Sequence, residues 1–99
     1  MAIKMQRSSG NVFRDLGFGP AEAANLRIRS LLMIRLRQLI KDRHLTQVAA
    51  AKVFGVTQPR LSDLVRGKID SFSIDALVKM LARAGVAVTV TVRPQSRVA

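Results

Sequence analysis

The chain has no cysteine, tryptophan or tyrosine, and only six of its 99 residues are acidic. Without cysteine there is no disulfide framework and no thiolate metal site. Four Phe are the whole aromatic complement, so the core must be largely aliphatic, which suits helices. No apolar run approaches the ~20 residues needed to cross a bilayer. The N-terminus, MAIKMQRSSGNVF, lacks the apolar centre of a secretion signal. No membrane partner is expected, and a cytoplasmic location is. His44 stands alone, with no second His and no carboxylate cluster beside it to form a metal centre or a triad. The acids Asp15, Glu22, Asp42, Asp63, Asp70 and Asp75 are scattered, and no glycine-rich phosphate loop is present. No catalytic residue, metal or cofactor is expected.

What the chain does have is positive charge. Seventeen Lys and Arg against six acids give a formal net charge of +11, which attracts polyanions such as nucleic acid. A hydrophobic content of 48% and this length suit one small domain.

Residues 1–19 read as an arm, partly flexible, with loop signals at Ser8-Ser9-Gly10-Asn11 and Gly17-Phe18-Gly19-Pro20. Val12, Phe13 and Leu16 between them form a cluster able to dock as a single turn, and the first ten residues are expected to be mobile. A helical domain follows over 20–85. Its first helix runs from Pro20 or Ala21 to about His44, with Glu22 complementing the N-terminal dipole. Ile28, Leu32, Leu36, Leu39 and Ile40 recur at helical spacing as a buried stripe. Met33 and Ile34 fall off that stripe and hint at a second contact.

Leu45–Lys68, LTQVAAAKVFGVTQPRLSDLVRGK, is the most informative segment. Thr46 and Thr57 are placed to cap two short helices, with Gly55-Val56 as the turn between them. Val56 and Leu61 are spaced for a hydrophobic staple. Pro59 sits in a first turn, where its missing N–H costs nothing. Leu61, Leu64 and Val65 share one face. Thr57, Gln58 and Arg60 mark the leading end, and Ser62, Asp63 and Arg66 point away from the core. A helix-turn-helix offers the start of its second helix to a major groove in this way. Gln58 is the first candidate for base reading, since a Gln amide pairs bidentately with adenine. Thr57, Arg60 and Ser62 could reach bases or phosphates. Arg66 and Lys68 suit the phosphate backbone, and Gln47 at the start of the preceding helix suits a phosphate. Asp63 could accept from cytosine N4, pair with Arg60 or Arg66, or repel phosphate.

Beyond Gly67, a plausible helix end, Lys68–Phe72 reads as a loop. Ser73 is placed to cap a further helix with Asp75 in its first turn and a Phe72–Leu77 staple. Ile74, Leu77, Val78 and Leu81 line that helix, and Gly85 ends it. The period then changes. Val86, Val88, Val90 and Val92 alternate with Ala87, Thr89, Thr91 and Arg93, predicting a strand over 86–93 stopped by Pro94, with 94–99 as a flexible tail. No confident second strand is visible. A lone strand invites another chain to pair, and the same strand of a second copy, antiparallel across a two-fold axis, is the economical partner. A strand from another protein and a short pairing with the N-terminal arm are the alternatives. The fold class expected is therefore mainly α, a helix-turn-helix bundle whose C-terminal strand pairs across a homodimer.

LTQ followed by AAAKVFGVTQPRLSDLVRGK resembles the Xre/Cro family of phage-repressor-like helix-turn-helix domains. The continuation RGKIDSFSIDALVKMLARAGVAVTVTV is similar to antitoxins of host-inhibition-of-growth type and to Xre regulators paired with RelE-like toxins. The resemblance spans roughly residues 25–93. It implies a homodimeric repressor of its own operon, bound to a palindromic double-stranded operator, and an antitoxin that neutralises a neighbouring ribonuclease toxin. It also implies DNA contact by Gln47, Thr57, Gln58 and Arg60. Pro59 and Asp63 depart from the usual pattern, and the basic charge is unlike many antitoxins. A protein-binding antitoxin is the alternative reading. A small basic ribonuclease is the remote one, fitting the length and charge but not the lone His or the absence of Tyr.

Overall fold

The computed structural model describes residues 2–5, by their backbone, and 12–94. Strand β1 (Ala2–Met5) and the one-turn helix α1 (Val12–Asp15) precede the long α2 (Pro20–Asp42). Then come α3 (Gln47–Phe54), α4 (Gln58–Val65), a 3-10 turn (Ile69–Ser71), α5 (Ile74–Arg83) and β2 (Ala87–Val90). The architecture is mainly helical, as the sequence leads one to expect. No described helix is long and apolar enough to cross a membrane.

Three side-chain caps form as the sequence predicts. Thr46, Thr57 and Ser73 accept from the backbone N–H of Ala49, Arg60 and Ala76, three residues on in each case. The helices also end alike. Beyond each last turn one residue takes a left-handed conformation, and the N–H groups there bond back to the final carbonyls. Val56 N donates to Ala51 O, Lys68 N to Asp63 O and Val86 N to Leu81 O. This double capture satisfies carbonyls that a helix end would otherwise orphan. Gly55 supplies the left-handed residue after α3, at φ 70°. After α2 the residue is His44, at φ 52°, the one non-glycine with positive φ among the described residues. Its Cβ meets the strain that glycine avoids. Helix α2 thus stops at Asp42, two residues short of the predicted end.

The core gathers Leu32 and Leu36 of α2, Phe54 of α3, Leu61 and Leu64 of α4, Phe72, and Leu77 and Leu81 of α5, all fully buried. It is aliphatic, as expected, except for Phe54 and Phe72. Helix α2 is packed by α4, α5 and the 3-10 turn, so its buried face is broader than the predicted stripe. Met33, expected off that stripe, is buried, whereas Ile34 is 55% exposed. Ile28 and Ile40 are only partly buried.

The two ends of the chain meet. β1 pairs in parallel with β2, in the register Ala2↔Ala87, Ile3↔Val88, Lys4↔Thr89, Met5↔Val90. Of the partners considered for the valine strand, the N-terminal arm is the one observed within the chain, which corrects the expectation that no second strand exists there, and the arm is a strand over 2–5 rather than loose. The signal in AIKM is too short to read as a strand. The backbone groups along β2 supply what local preference does not, and the helical domain serves as the long crossover that parallel pairing needs. The predicted single turn at Val12–Leu16 is present as α1, where Phe13 meets Phe18 edge-on with ring centroids 6.2 Å apart. The remaining first residues expected to be mobile, and the tail beyond Pro94, lie outside the described residues.

The two left-handed positions yield opposite expectations. His44→Gly raises the unfolding free energy by ~1 kcal/mol by relieving a strained φ. Gly55→Ala lowers it by ~1–2 kcal/mol, because φ is incompatible and a Cβ there would stand 2.6 Å from Arg83 Cδ. Urea midpoints of the two variants check both signs.

Candidate nucleic-acid interface

The orientation of α4 follows from what it buries. Leu61 and Leu64 are wholly inaccessible and Val65 is half-buried, so the opposite face must look outward. Thr57, Gln58 and Pro59 at its leading end are exposed. Thr57 Oγ1 accepts from Arg60 N at 3.4 Å, leaving the next free N–H groups of that first turn directed forward. Val56 lies just ahead of this cap and packs on the core together with Leu61, as the staple requires. Ahead of the turn, Gln47 is the exposed first residue of α3, behind the Thr46 cap. Gln47, Gln58, Arg66 and Lys68 are all exposed, and Ser62 and Asp63 are half-buried.

Arg60 differs from the rest. Its guanidinium lies over the Phe72 ring, Cζ 4.5 Å from the centroid, and Nη1 donates to Ser71 O at 2.8 Å. The side chain is therefore directed back along the loop after α4 and is half-buried there. A second arginine does the same from the other side. Arg29 of α2 donates through Nη1 to Ile69 O (3.0 Å) and Phe72 O (3.4 Å), with Nε held by Asn25 Oδ1 at 2.7 Å. Two helices thus clamp one loop by its carbonyls, and that loop carries Arg66 and Lys68. Charge-assisted bonds of this kind are stronger than neutral ones. Arg29 is hard to single out locally, because its carbonyl partners lie 40 and 43 residues away. Asn25, one turn before it, was the one local sign.

Asp63 pairs with neither of the arginines expected beside it but with Lys68. Its Oδ1 sits 3.6 Å from Lys68 Nζ, rather than on Arg60 or Arg66. Half-exposed pairs like this contribute little stability. The effect here is to cover a carboxylate on a helix otherwise fronted by neutral and basic groups. His44 sits exposed at the end of α2, and no group of three metal-ligating residues exists among the described residues.

A short helix, a left-handed turn and a second helix with its leading end uncovered define the helix-turn-helix class. A model of a helix-turn-helix domain family matches residues 12–93, and the chain belongs to that family, which is not a class of enzyme. A solved structure provisionally described as an XRE-family transcriptional regulator is similar over 79% of this chain and 90% of its own, at 31% identity and a TM-score of 0.71. No curated protein matches the chain.

The clamp makes a prediction about stability. Arg60→Ala lowers the unfolding free energy by ~2–3 kcal/mol, from one charged hydrogen bond and one cation–π contact. Arg29→Ala costs about as much through its two carbonyl bonds. Because both grip the same loop, the double variant loses less than the two single losses added, which a double-mutant cycle in urea measures.

Proposed function

We propose that this chain is a sequence-specific DNA-binding transcriptional regulator, a repressor that recognises double-stranded DNA with α4. One observation carries the reading. The helix that follows the Gly55 turn buries Leu61 and Leu64 and leaves Thr57 and Gln58 uncovered at its tip. Family membership and the XRE-like fold support it. In this reading Gln58 reads a base edge, Thr57 and Ser62 add contacts beside it, and Gln47, Arg66 and Lys68 hold phosphates. Arg60 serves chiefly to position the loop bearing Arg66 and Lys68, with its remaining N–H groups available to phosphate.

The regulator acts as a homodimer on a palindromic operator, with recognition helices one helical turn (~34 Å) apart. The valine stripe supports this. Val86 is buried and Val88 partly so, but Val90 is 64% exposed and Val92 89% exposed. The stripe that begins in the core runs out of cover within the chain. A two-stranded parallel ribbon with an open face is also unusual, since parallel sheets are normally covered on both faces. β1 takes one edge of β2, so a second copy joins at the other, in the order β1-β2-β2-β1. The antitoxin-like resemblance adds a further step, in which the chain also binds and neutralises a RelE-like toxin encoded beside it and represses its own operon. β1, outermost in that order, is the surface such a toxin would engage, within the cytoplasm.

Site selection from random duplexes tests the function directly. Recovery of a palindromic consensus is expected, and no enrichment would sink the reading. On that consensus Gln58→Ala costs ~1–3 kcal/mol and relaxes preference at one base pair, whereas Arg66→Ala weakens all duplexes alike and lowers the salt slope by ~1. Val90→Lys, placing charge on the uncovered stripe, should shift sedimentation from dimer to monomer. A dimer that persists removes β2 from the interface. Co-expression with the adjacent reading frame tests the antitoxin step, and growth that is not rescued rejects it.

A further inference from the structure

Ile34 finds no place in the function proposed above. It lies on α2 off the buried stripe, 55% exposed, and it lines an open groove of about 440 Å³. The groove runs between α2 and the end of α4. Ile34, Ile40 and Val65 give it an apolar lining, Arg37 and Lys41 a cationic rim, and Gln38 the remaining polar group. Ile40 and Val65 are partly buried against the core, so the floor is fixed by packing. Ile34, Arg37, Gln38 and Lys41 recur at the three- and four-residue spacing that puts them on one helical face. The acid at this end of α2, Asp42, accepts from Gln38 Nε2 at 2.9 Å. Arg37 and Lys41 are both exposed.

We infer that this groove is a protein-docking site, and that its occupant is an acidic amphipathic helix of a partner protein. An open apolar trough beside a helix accepts another helix through anchors at i, i+3, i+4 and i+7. The charge selects the partner's sign, because Arg37 and Lys41 sit one turn apart on the rim and favour carboxylates flanking those anchors. A second copy of this chain is a poor occupant, since none of its described α-helices carries more acidic than basic residues, and like charge opposite Arg37 and Lys41 is costly. Nucleic acid is also a poor occupant, because phosphates gain nothing from a floor of Ile34, Ile40 and Val65. Val65 is the last residue of α4, about two turns from Thr57, so the groove and the DNA-reading tip lie at opposite ends of one helix. The inference does not depend on the DNA reading, though a docked partner would ride on α4 of a bound regulator.

The probe is a labelled peptide of roughly eighteen residues, five helical turns, with Leu at i, i+3, i+4 and i+7 and Glu on its outer face. A scrambled peptide of identical composition controls for general attraction to a basic protein. Fluorescence anisotropy with the full chain should show the ordered peptide binding at least tenfold more tightly than the scramble. Ile34→Asp should abolish that difference, and so should the double change Arg37→Glu with Lys41→Glu. Ile34 is exposed, so its replacement leaves the fold intact, and an unchanged melting curve confirms this. Duplex affinity should be the same in Ile34→Asp as in the parent. Equal binding of the two peptides, or retention of the preference in Ile34→Asp, overturns the inference. Displacement of the peptide by a short duplex assigns the groove to nucleic acid instead. Loss of self-association in Ile34→Asp, seen by sedimentation, assigns it to a second copy.

Discussion

Burial of Leu61 and Leu64 is the constraint on which the rest of the molecule depends. Both are wholly excluded from water, and together they are worth several kcal/mol of apolar transfer. Once they are in the core, the rotation of α4 about its own axis is fixed. The exposure of Gln58 and the depth of Ser62 then follow without further specification. The turn at Gly55 fixes the remaining freedom, the angle at which α4 leaves α3. Its left-handed residue bends the chain back while Val56 N returns to Ala51 O. The Arg83 side chain of α5 occupies the space that a Cβ at Gly55 would need, so the turn is closely approached by α5 as well.

The loop after α4 shows how a basic protein uses some of its charge internally. Arg29 and Arg60 spend donors on the carbonyls of Ile69, Ser71 and Phe72; Ile69 O also accepts the backbone N–H of Phe72, so the Arg29 guanidinium adds a second bond there. Phe72 is buried below the same guanidinium that caps Ser71. Fixing this loop fixes where Arg66 and Lys68 stand relative to Gln58. In the DNA-reading role proposed above, a surface meeting two phosphate strands and a base edge together would gain more from that alignment than from one additional cation. The arginines that count most for the geometry are thus among those least free to touch a ligand.

Local signals in the sequence proved legible, and long-range ones did not. Thr46, Thr57 and Ser73 could be read as caps because a cap is a relation across three residues. Gly55, Gly67 and Gly85 could be read as helix ends for the same reason. Leu61 and Leu64 were legible through periodicity. Arg60 was misjudged in emphasis, since its partners Ser71 and Phe72 are eleven and twelve residues on and nothing local announces them. Arg29 was missed because its partners lie farther still. Pairing of the valine strand with the N-terminal arm was legible only as an alternative to a second copy, as the strand conformation of β1 belongs to the pairing with β2 at the other end of the chain. Met33 was placed off the stripe because a single-face template cannot represent a helix packed by α1, α4, α5 and the 3-10 turn together.

The charge of the chain bears on how copies of it could meet. At +11 per copy, association through most of its surface would oppose like charges at close range. The segment from Ala87 to Val92 carries no charged residue, so a two-fold contact along β2 escapes that repulsion while covering Val90 and Val92. The same contact also limits itself. With β2 strands paired at the centre, β1 lies outermost in the sheet, and β1 is four residues long with a lysine, Lys4, within it. Short outer strands bearing Lys are a recognised means of stopping further strand addition. A two-fold contact of the kind proposed would therefore close at two copies, whereas a contact through β1 would leave the valine edge open to a third.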